Sequence, residues 1–297
     1  MKKMKLSDFF DKNSVLRDAE FINLGYLDNK SPGLLVYADN IESFNKANEN
    51  PNVAALITNH FLAKMPSNIP GLAIVNLPRV QFYSIHTQLH KEHFYKFPYE
   101  LEIGIGCKIH PSAIISDNCK IGDHVVVGEY VVIKSNVCIG SNVVIEPAAK
   151  VGVEGILYNK TEQGVTLIPH GGYVKIEENA ILMTNSIIAK SIHNTDYTGI
   201  GRSALIGLGS IIGHESKIGD EAIISNQCVI ARRALIGKRA FIGTNSTIKE
   251  NITIGENARV MAGSVVIRNV DNGASVSGNF ATDHKKHLLE FARKQFR

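Results

Sequence analysis

The chain has 297 residues, of which 44% are hydrophobic and 20% charged, so its composition favours a buried core over disorder. Its 32 basic and 28 acidic side chains give a net charge of +4, too small and too dispersed to indicate a nucleic-acid-binding protein. Four cysteines in this length are not typical of a disulfide scaffold. With no evident secretion signal, membrane span or metal-ligand motif, we expect a cytoplasmic protein that holds no metal.

The composition changes along the chain. Three of the 25 glycines, but 13 of the 21 Phe and Tyr residues, precede residue 101. We therefore predict a domain boundary near Tyr99–Glu102, with a small domain over residues 1–100.

Short apolar runs alternate with helix-like runs in this first domain. The buried strands are predicted at Gly33–Asp39, Val53–Thr58 and Gly71–Asn76. The helices are predicted at Asn40–Asn48, with Asn40 as the cap, and at Val80–Glu92. This alternation indicates a small α/β domain.

A six-residue repeat dominates the rest of the chain. Every sixth residue is aliphatic from Ile103 to Val151 and again from Ile200 to Val266. A small side chain usually precedes this residue by two positions, and glycine often follows it directly. A period of six suits neither a helix nor an alternating strand, and favours a short strand followed by a tight turn. We expect the aliphatic residues to point inward, the small ones to fill corners, and the glycines to adopt positive φ.

These repeats resemble those of the hexapeptide-repeat acyltransferases. The resemblance implies a mainly β fold: a left-handed parallel β-helix over residues 101–280, then a short C-terminal helix over 281–297. Right-handed β-helices and antifreeze-type solenoids have longer or more Thr-rich repeats. Two loops, at 154–173 and 189–199, interrupt the pattern, and loops on a rigid scaffold often carry function.

Two segments narrow the resemblance to the UDP-3-O-acylglucosamine N-acyltransferases of lipid A synthesis. They are VGVEGILYN…IPHGGYVKIEENAIL, in the centre, and IGHESKIG, at residues 212–219. The second segment carries that family's catalytic histidine, which implies the role for His214. In that family an aromatic residue stacks on uracil and an asparagine three residues later assists, which implies substrate-binding roles for Tyr37 and Asn40.

The chain also departs from that family. An expected Asp-Asn pair is replaced by Gly207 and Leu208, and an expected second histidine by Asn251. The late segments, at residues 218–247 and 260–279, instead resemble acetyl-CoA-dependent sugar N-acetyltransferases of surface-polysaccharide synthesis. We therefore expect an N-acyltransferase that acts on a nucleotide-linked amino sugar, with acetyl-CoA as donor. The alternative is the lipid A enzyme, with an acyl carrier protein as donor.

The chemistry of acyl transfer to an amine assigns roles to several polar residues. Histidine, with an ordinary pKa of about 6.5, can take the proton that the attacking amine loses. We expect His214 to point outward from the prism, and the resemblance implies that it faces a groove between subunits of a homotrimer. Its ring is oriented by Glu215 or by an acidic group of the neighbouring subunit, for which Asp196 is the candidate. His170 and His193, in the two interruptions, and Asp196 are predicted substrate contacts.

The donor is predicted to bind at the late coils. Arg232, Arg233, Lys238 and Arg239 are expected to form a basic cluster on consecutive late coils, suited to the phosphates of coenzyme A or of a carrier protein. Ala231 could let pantetheine lie flat between coils, and Asn251 favours acetyl-CoA. The alternative for the four basic residues is a solvated charged surface. The apolar residues of the terminal helix are expected to cover the open end of the β-helix.

A protein without catalysis is the competing hypothesis. Hexapeptide repeats also occur in proteins that are not transferases, so a scaffold or a sensor of sugar nucleotides remains open. His214 in its matching segment, together with Tyr37 and Asn40, favours the enzyme.

Overall fold

The structure, a computed structural model, describes residues 3–95 and 100–295. The chain divides into two compact units. Unit 1 contains the residues up to 96 together with 156–172 and 193–196. Unit 2 contains residues 97–155, 173–192 and 197–297. Unit 1 thus includes segments from both predicted loops, and Tyr99, at the predicted boundary, lies outside the described residues.

Unit 1 is built on a five-stranded sheet. In spatial order its strands are Val15–Arg17, Gly71–Ile74, Val53–Thr58, Leu34–Tyr37 and Asn23–Leu24. The first of these pairs antiparallel to its neighbour and the remaining pairs are parallel. Two shorter antiparallel pairs join Met4–Lys5 to Glu20–Phe21 and Tyr158–Thr161 to Gly164–Leu167. The three predicted strands of this domain are therefore present.

Two helices accompany this sheet, α1 at Ile41–Glu49 and α2 at Pro78–Lys91. Two short 3-10 helices lie at Leu6–Asp8 and Leu62–Lys64. Asn40 caps α1 as predicted, because its side-chain oxygen accepts a hydrogen bond from Ser43 N at 2.9 Å. The predicted ends of both helices differ from the observed ends by one or two residues.

Unit 2 is a left-handed parallel β-helix with three faces. Face 1 contains Glu102–Ile103, Cys119–Ile121, Val137–Ile139, Tyr173–Ile176, Tyr197–Ile200, Lys217–Ile218, Leu235–Ile236 and Thr253–Ile254. Face 2 contains Lys108–Ile109, Val126–Val127, Val144–Ile145, Ile181–Leu182, Leu205–Ile206, Ile223–Ile224, Phe241–Ile242, Arg259–Val260, Ser275–Ser277 and the antiparallel Thr282–Asp283. Face 3 contains Ile114–Ile115, Val132–Ile133, Lys150–Val153, Ile187–Ala189, Ile211–Ile212, Val229–Ile230, Thr247–Ile248 and Val265–Val266. The predicted fold class is confirmed.

A regular coil spans 18 residues, the separation at which Ile105 N donates to Asp123 Oδ1 of the next coil. The paired strands have the same spacing, since Ile211 pairs with Val229. The inward aliphatic residues form one continuous apolar column with small residues such as Ala222 and Ala234, which are fully buried. Burying one such aliphatic side chain contributes roughly 1.5–3 kcal/mol, so the column is the main source of stability in this unit.

The predicted positive φ of the repeat glycines was wrong for those that directly follow an inward aliphatic residue, with the exception of Gly152, whose φ is 77°. Positive φ occurs at the third residue after the inward aliphatic one, for instance at Asn245 (58°) and Asn257 (55°). Gly213 and Gly219, which directly follow an aliphatic residue, are not among the positive-φ residues. They are required because a Cβ on Gly219 would lie 2.7 Å from the backbone of Gly237 in the next coil. These glycines therefore permit close approach of neighbouring coils, and asparagine, which tolerates the left-handed region, makes many of the turns.

Helix α3, at His284–Gln295, ends the described chain. None of its residues is buried, and Leu288, Leu289 and Phe291 are each more than half exposed. The expectation that its apolar residues cover the end of the β-helix was therefore wrong for these three; Phe296 lies outside the described residues. A polar contact instead joins the start of α3 to the strands, because His284 Nδ1 lies 3.0 Å from Ser277 Oγ.

We predict that Gly219→Ala destabilises the β-helix by about 1–3 kcal/mol, because its methyl group would collide with the backbone of the next coil. The matched control is Gly263→Asn. Gly263 has a φ of 69° and open space around its Cβ position, so this change should stay within about 0.5 kcal/mol. Urea unfolding followed by far-UV circular dichroism measures both. Equal losses in the two variants would contradict the close-approach explanation.

The buried cysteines give a second prediction. Burial raises the pKa of the Cys119 and Cys228 thiols, so at pH 8 a smaller fraction is thiolate and alkylation is slow. Both side chains are buried, whereas Cys107 is partly exposed. We expect iodoacetamide to label Cys107 first in the native protein and all four cysteines in urea, as counted by peptide mass spectrometry. Rapid native labelling of Cys228 would contradict its place in the apolar column.

Candidate active site on the His214 corner

The His214 corner is the edge of the β-helix at which the chain passes from face 3 to face 1. It comprises the turn Gly213–Ser216 and the two turns stacked on it in the following coils, at residues 231–234 and 249–252. Backbone hydrogen bonds hold the stack together: Arg233 N donates to His214 O at 3.0 Å, and Asn251 N donates to Arg232 O at 3.2 Å. The backbone position of His214 is therefore set by the coils of the prism.

Glu215 contacts the imidazole of His214 directly. Its Oε2 lies 3.1 Å from His214 Nδ1, and both side chains are buried, at 0% and 5% exposed. An Nδ1–H that donates to the carboxylate selects the tautomer in which the lone pair is on Nε2. The pair therefore has the arrangement of a base and its orienting carboxylate.

The Glu215 carboxylate is itself fixed by the backbone. Its Oε1 accepts a hydrogen bond from Ile192 N at 2.9 Å, and its own N–H donates to Thr198 Oγ1 at 2.7 Å. Glu215 occupies the left-handed turn position with a φ of 64°. These contacts leave the carboxylate little freedom, so it presents Oε2 to the imidazole in one orientation.

The burial of the His214 side chain was not anticipated from the sequence. At 5% exposed, the side chain is nearly enclosed within the single chain, and the groove between subunits stays a prediction. His214 is nevertheless outside the apolar column that fills the prism. The neighbouring Glu215 carboxylate is enclosed as well and accepts a hydrogen bond from Ile192 N.

Both interruptions of the repeat occur at this corner. On face 3, Lys150 pairs with Ile187, and Ile187 in turn pairs with Ile211. The sequence separation between the paired residues is longer than a regular coil in both cases. In each case the extra residues lie between a strand of face 3 and the following strand of face 1. The two coils that precede His214 therefore both depart from the six-residue pattern at the edge where His214 stands.

Lys190 begins the second interruption and was not identified from the sequence. Its side chain is 12% exposed, and its Nζ lies 4.0 Å from Glu154 Oε1. Burial lowers the pKa of its ammonium group. Two other residues missed by the sequence reasoning are Thr198 and Ile192, which act on Glu215. Thr198 could have been noticed as a hydroxyl-bearing residue at a small-residue position, whereas the Ile192 contact uses only backbone and leaves no signal.

We expected the four basic residues to form one cluster on consecutive coils. They lie instead on two different corners of one coil. Arg232 and Arg233 lie on the His214 corner, whereas Lys238 and Arg239 lie six residues later, on the next corner of the same coil. Lys238 Nζ is 3.2 Å from Glu221 Oε1, and Arg239 Nε donates to Asn257 Oδ1 at 2.8 Å. The physical reason is the repeat itself, because six residues of chain turn one corner of the prism.

The other predicted donor residues lie on the His214 corner. Ala231 directly precedes Arg232, and its carbonyl accepts a hydrogen bond from Ser216 Oγ at 2.8 Å. Asn251 occupies the left-handed turn position one coil after Arg233, with a φ of 59°. Their placement puts Ala231, Arg232, Arg233 and Asn251 on the edge that also carries His214.

Tyr37 and Asn40 belong to unit 1. The half-buried ring of Tyr37 lies 5.2 Å from the Phe82 ring and 6.0 Å from the Tyr83 ring, measured between centroids. The side chain of Asn40 caps α1 through Ser43. Both residues therefore have local structural contacts that explain their presence in the sequence without a ligand.

The remaining predicted substrate contacts also belong to unit 1. His170 and His193 are both fully buried. The His193 ring packs against Phe82 at 5.5 Å and His86 at 4.9 Å, so packing explains its position. Asp196 N donates to His193 O at 3.2 Å. The role of these residues as substrate contacts stays a prediction.

Two kinds of feature are absent from residues 3–95 and 100–295. Those residues contain no group of three or more His, Cys, Asp or Glu side chains placed to hold a metal ion. Their helices include none with the length and apolar character needed to cross a membrane.

Comparison with known proteins identifies the repeat. Residues 101–135 and 233–268 match the profile of the family described as bacterial transferase hexapeptide (six repeats). A search of curated proteins found no match. The predicted resemblance to hexapeptide-repeat proteins is therefore confirmed over the segments that the profile covers.

Solved structures with a similar fold include UDP-N-acetylglucosamine acyltransferases. The Arabidopsis enzyme is 25% identical, with 64% of this chain and 77% of that chain covered and a TM-score of 0.46. The O-acyltransferase from Moraxella catarrhalis is 24% identical over 63% and 76%, with a TM-score of 0.42. A hexapeptide transferase family protein from Anaplasma phagocytophilum is 15% identical over 66% and 92%, with a TM-score of 0.33. These similarities are too low for any functional inference to rest on them.

The anchoring of Glu215 generates a testable prediction. Glu215→Ala should lower the free energy of unfolding by about 1–3 kcal/mol, because Ile192 N loses a buried acceptor. The matched control is Glu221→Ala. Glu221 occupies the same left-handed turn position one repeat later, but it is exposed, so the cost should stay within about 0.5 kcal/mol. Chemical denaturation measures both, and an equal or larger loss for Glu221→Ala would contradict the anchoring role.

Proposed function

We propose that the protein is an N-acyltransferase that acts on the amine of a nucleotide-linked amino sugar, with acetyl-CoA as the first choice of donor. The observation that carries the proposal is the contact of 3.1 Å between His214 Nδ1 and a Glu215 carboxylate fixed by Ile192 N. The matched family profile, described as that of bacterial transferases, supports the reaction class. The sequence resemblance of residues 212–219 supports the assignment of His214.

The proposed reaction begins with a neutral amine. The amine nitrogen attacks the thioester carbonyl, and Nε2 of His214 accepts the proton that the nitrogen loses. Glu215 stabilises the imidazolium that forms. The new C–N bond replaces the C–S bond, and the thiol leaves with the proton returned by the imidazolium. A backbone N–H of a glycine-containing turn stabilises the oxyanion in this scheme.

The enclosure of His214 bears on substrate access. With 5% of the side chain exposed, the acceptor amine reaches Nε2 only after local rearrangement of the chain that covers the ring. Such an enclosed site excludes water, and a water-poor site strengthens the electrostatic effect of Glu215. The proposal therefore includes a local opening step before chemistry.

The donor site is proposed at the His214 corner. Arg232 and Arg233 stand on the coil after His214, where guanidinium groups suit the phosphates of coenzyme A or of a carrier protein's prosthetic group. The alternative donor is an acyl carrier protein that bears a long acyl chain, as in the lipid A enzyme. Donor choice is tested by offering both thioesters in the same assay.

The proposed activity is tested by a product screen. UDP- and dTDP-linked amino sugars are incubated with acetyl-CoA or acyl carrier thioesters, and the products are read by mass spectrometry. We expect His214→Ala to lower kcat by about 10²–10⁴-fold, because the attacking amine loses its proton acceptor. Glu215→Gln keeps an acceptor for Ile192 N but loses the charge, so kcat should fall with little change in KM.

The matched control for this experiment is His110→Ala. His110 also lies on the β-helix beside a carboxylate, with Nε2 4.0 Å from Glu129 Oε1, but its side chain is 43% exposed. This variant should keep wild-type activity. If His214→Ala retained the wild-type rate, the catalytic role would be refuted and a non-catalytic scaffold or sensor favoured. A homotrimer is proposed as the active form, and a monomer in sedimentation analysis would contradict it.

A further inference from the structure

Helix α3 presents apolar side chains that nothing in the described part of the chain buries. Leu288, Leu289 and Phe291 are 52–53% exposed, and Phe280, just before the helix, is 65% exposed. Exposed single apolar residues are ordinary on a protein surface, but several of them on one short terminal helix require a partner or a function.

The sequence of α3 separates apolar from basic side chains around the helix. At 100° per residue, Phe291, Leu288, Ala292 and Leu289 fall within one arc of about 160°, which also contains His284, Gln295 and Lys285. Lys286, Glu290, Arg293 and Lys294 occupy the opposite side. Four basic and one acidic residue give α3 a net charge of +3, without counting its two histidines. This is the pattern of a basic amphipathic helix.

The remainder of unit 2 holds α3 in place without covering this apolar side. The strand Thr282–Asp283 pairs antiparallel with Ser275–Ser277 immediately before the helix. His284 Nδ1 contacts Ser277 Oγ, and a Cβ on Gly278 would lie 2.8 Å from the His287 ring. The first turn of α3 is therefore fixed to the end of the prism, while Leu288, Leu289 and Phe291 stay accessible.

We propose that α3, together with Phe280, binds the surface of an anionic membrane. The apolar side would insert at the boundary of headgroups and acyl chains, and the basic side would meet the negative lipid headgroups. Phe280 would add an aromatic anchor at the level of the headgroups. The charge of the helix favours this partner over a second copy of the chain, because packing such helices together would bring their positive charges close.

Vesicle binding of the full chain tests the proposal. The chain has no tryptophan, so Phe291→Trp introduces a single fluorescent reporter at one edge of the apolar side. With vesicles of one part phosphatidylglycerol to two parts phosphatidylcholine, we expect a blue shift of its emission and quenching by brominated acyl chains. The affinity should exceed that for pure phosphatidylcholine by about tenfold or more and should fall as salt rises.

Substitutions then separate the two sides of the helix. Leu288→Ser with Leu289→Ser, and separately Lys286→Glu with Arg293→Glu, should each weaken binding to the anionic vesicles by about tenfold or more. The matched control is Lys108→Glu with Lys150→Glu, which changes the net charge by the same amount on the early coils and should leave binding unchanged. All these positions are at least partly exposed, and circular dichroism confirms that each variant is folded.

Two outcomes would overturn the proposal. The first is equal affinity for anionic and neutral vesicles, or no binding to either. The second is dissociation of an oligomer by Leu288→Ser with Leu289→Ser, seen by sedimentation, with vesicle binding unchanged, which would assign the apolar side to a second copy. Neither outcome depends on the acyltransferase assay, so this proposal and the proposed function succeed or fail separately.

Discussion

The close approach of successive coils is the constraint on which the rest of the structure depends. Each strand pairs with the matching strand of the next coil, and the paired backbones leave no room for a Cβ at Gly213 or Gly219. Parallel strands stacked in this way bury one aliphatic side chain per face and per coil. Because every coil is held by its neighbours, a turn residue at a corner has a fixed backbone position before any side-chain contact is made.

The His214 corner takes its properties from this constraint. The prism sets the backbone of His214 and Glu215, and the left-handed turn at Glu215 places two consecutive side chains so that imidazole and carboxylate meet. The chain around Ile192 and Thr198 then fixes the carboxylate. A flexible loop could supply the same residue types, but it would not hold them in one geometry.

The sequence predicted the β-helix well because its signal is repeated many times. Twelve consecutive repeat positions from Ile200 to Val266 carry Ile or Val, so individual exceptions hardly matter. Three strands of the first domain were also found, since each is a short apolar run, whereas Val15–Arg17 and Asn23–Leu24 were not predicted. The reason for the glycines was not predictable from spacing, because permissive φ and close approach between coils both select glycine. Only the coordinates show that the turn conformation belongs to a different residue of the repeat.

The site was predictable only in part. His214 and Glu215 are adjacent in the sequence, so their proximity could be inferred from the matching segment. The contact with Ile192 joins residues 23 positions apart through a backbone N–H, so no residue type in the sequence indicates it. The basic residues were misplaced because their spacing of six was interpreted as adjacency, whereas it turns one corner of the prism. Residue types alone do not predict interactions that use the backbone or that depend on which corner of the prism a residue occupies.

The constant length of the regular coils also has a consequence for how such a chain can change over time. The coil after residue 252 lies beyond the three turns of the His214 corner, and its strands pair with the matching strands of the coil before it. Duplication or loss of one whole coil there would lengthen or shorten the prism by about 4.8 Å while leaving the geometry around His214 intact. An insertion of any other length could not pair with the strands of the neighbouring coils. It would form a new surface segment, as the two interruptions do. The length of the β-helix can therefore change during evolution without a change in the candidate active site.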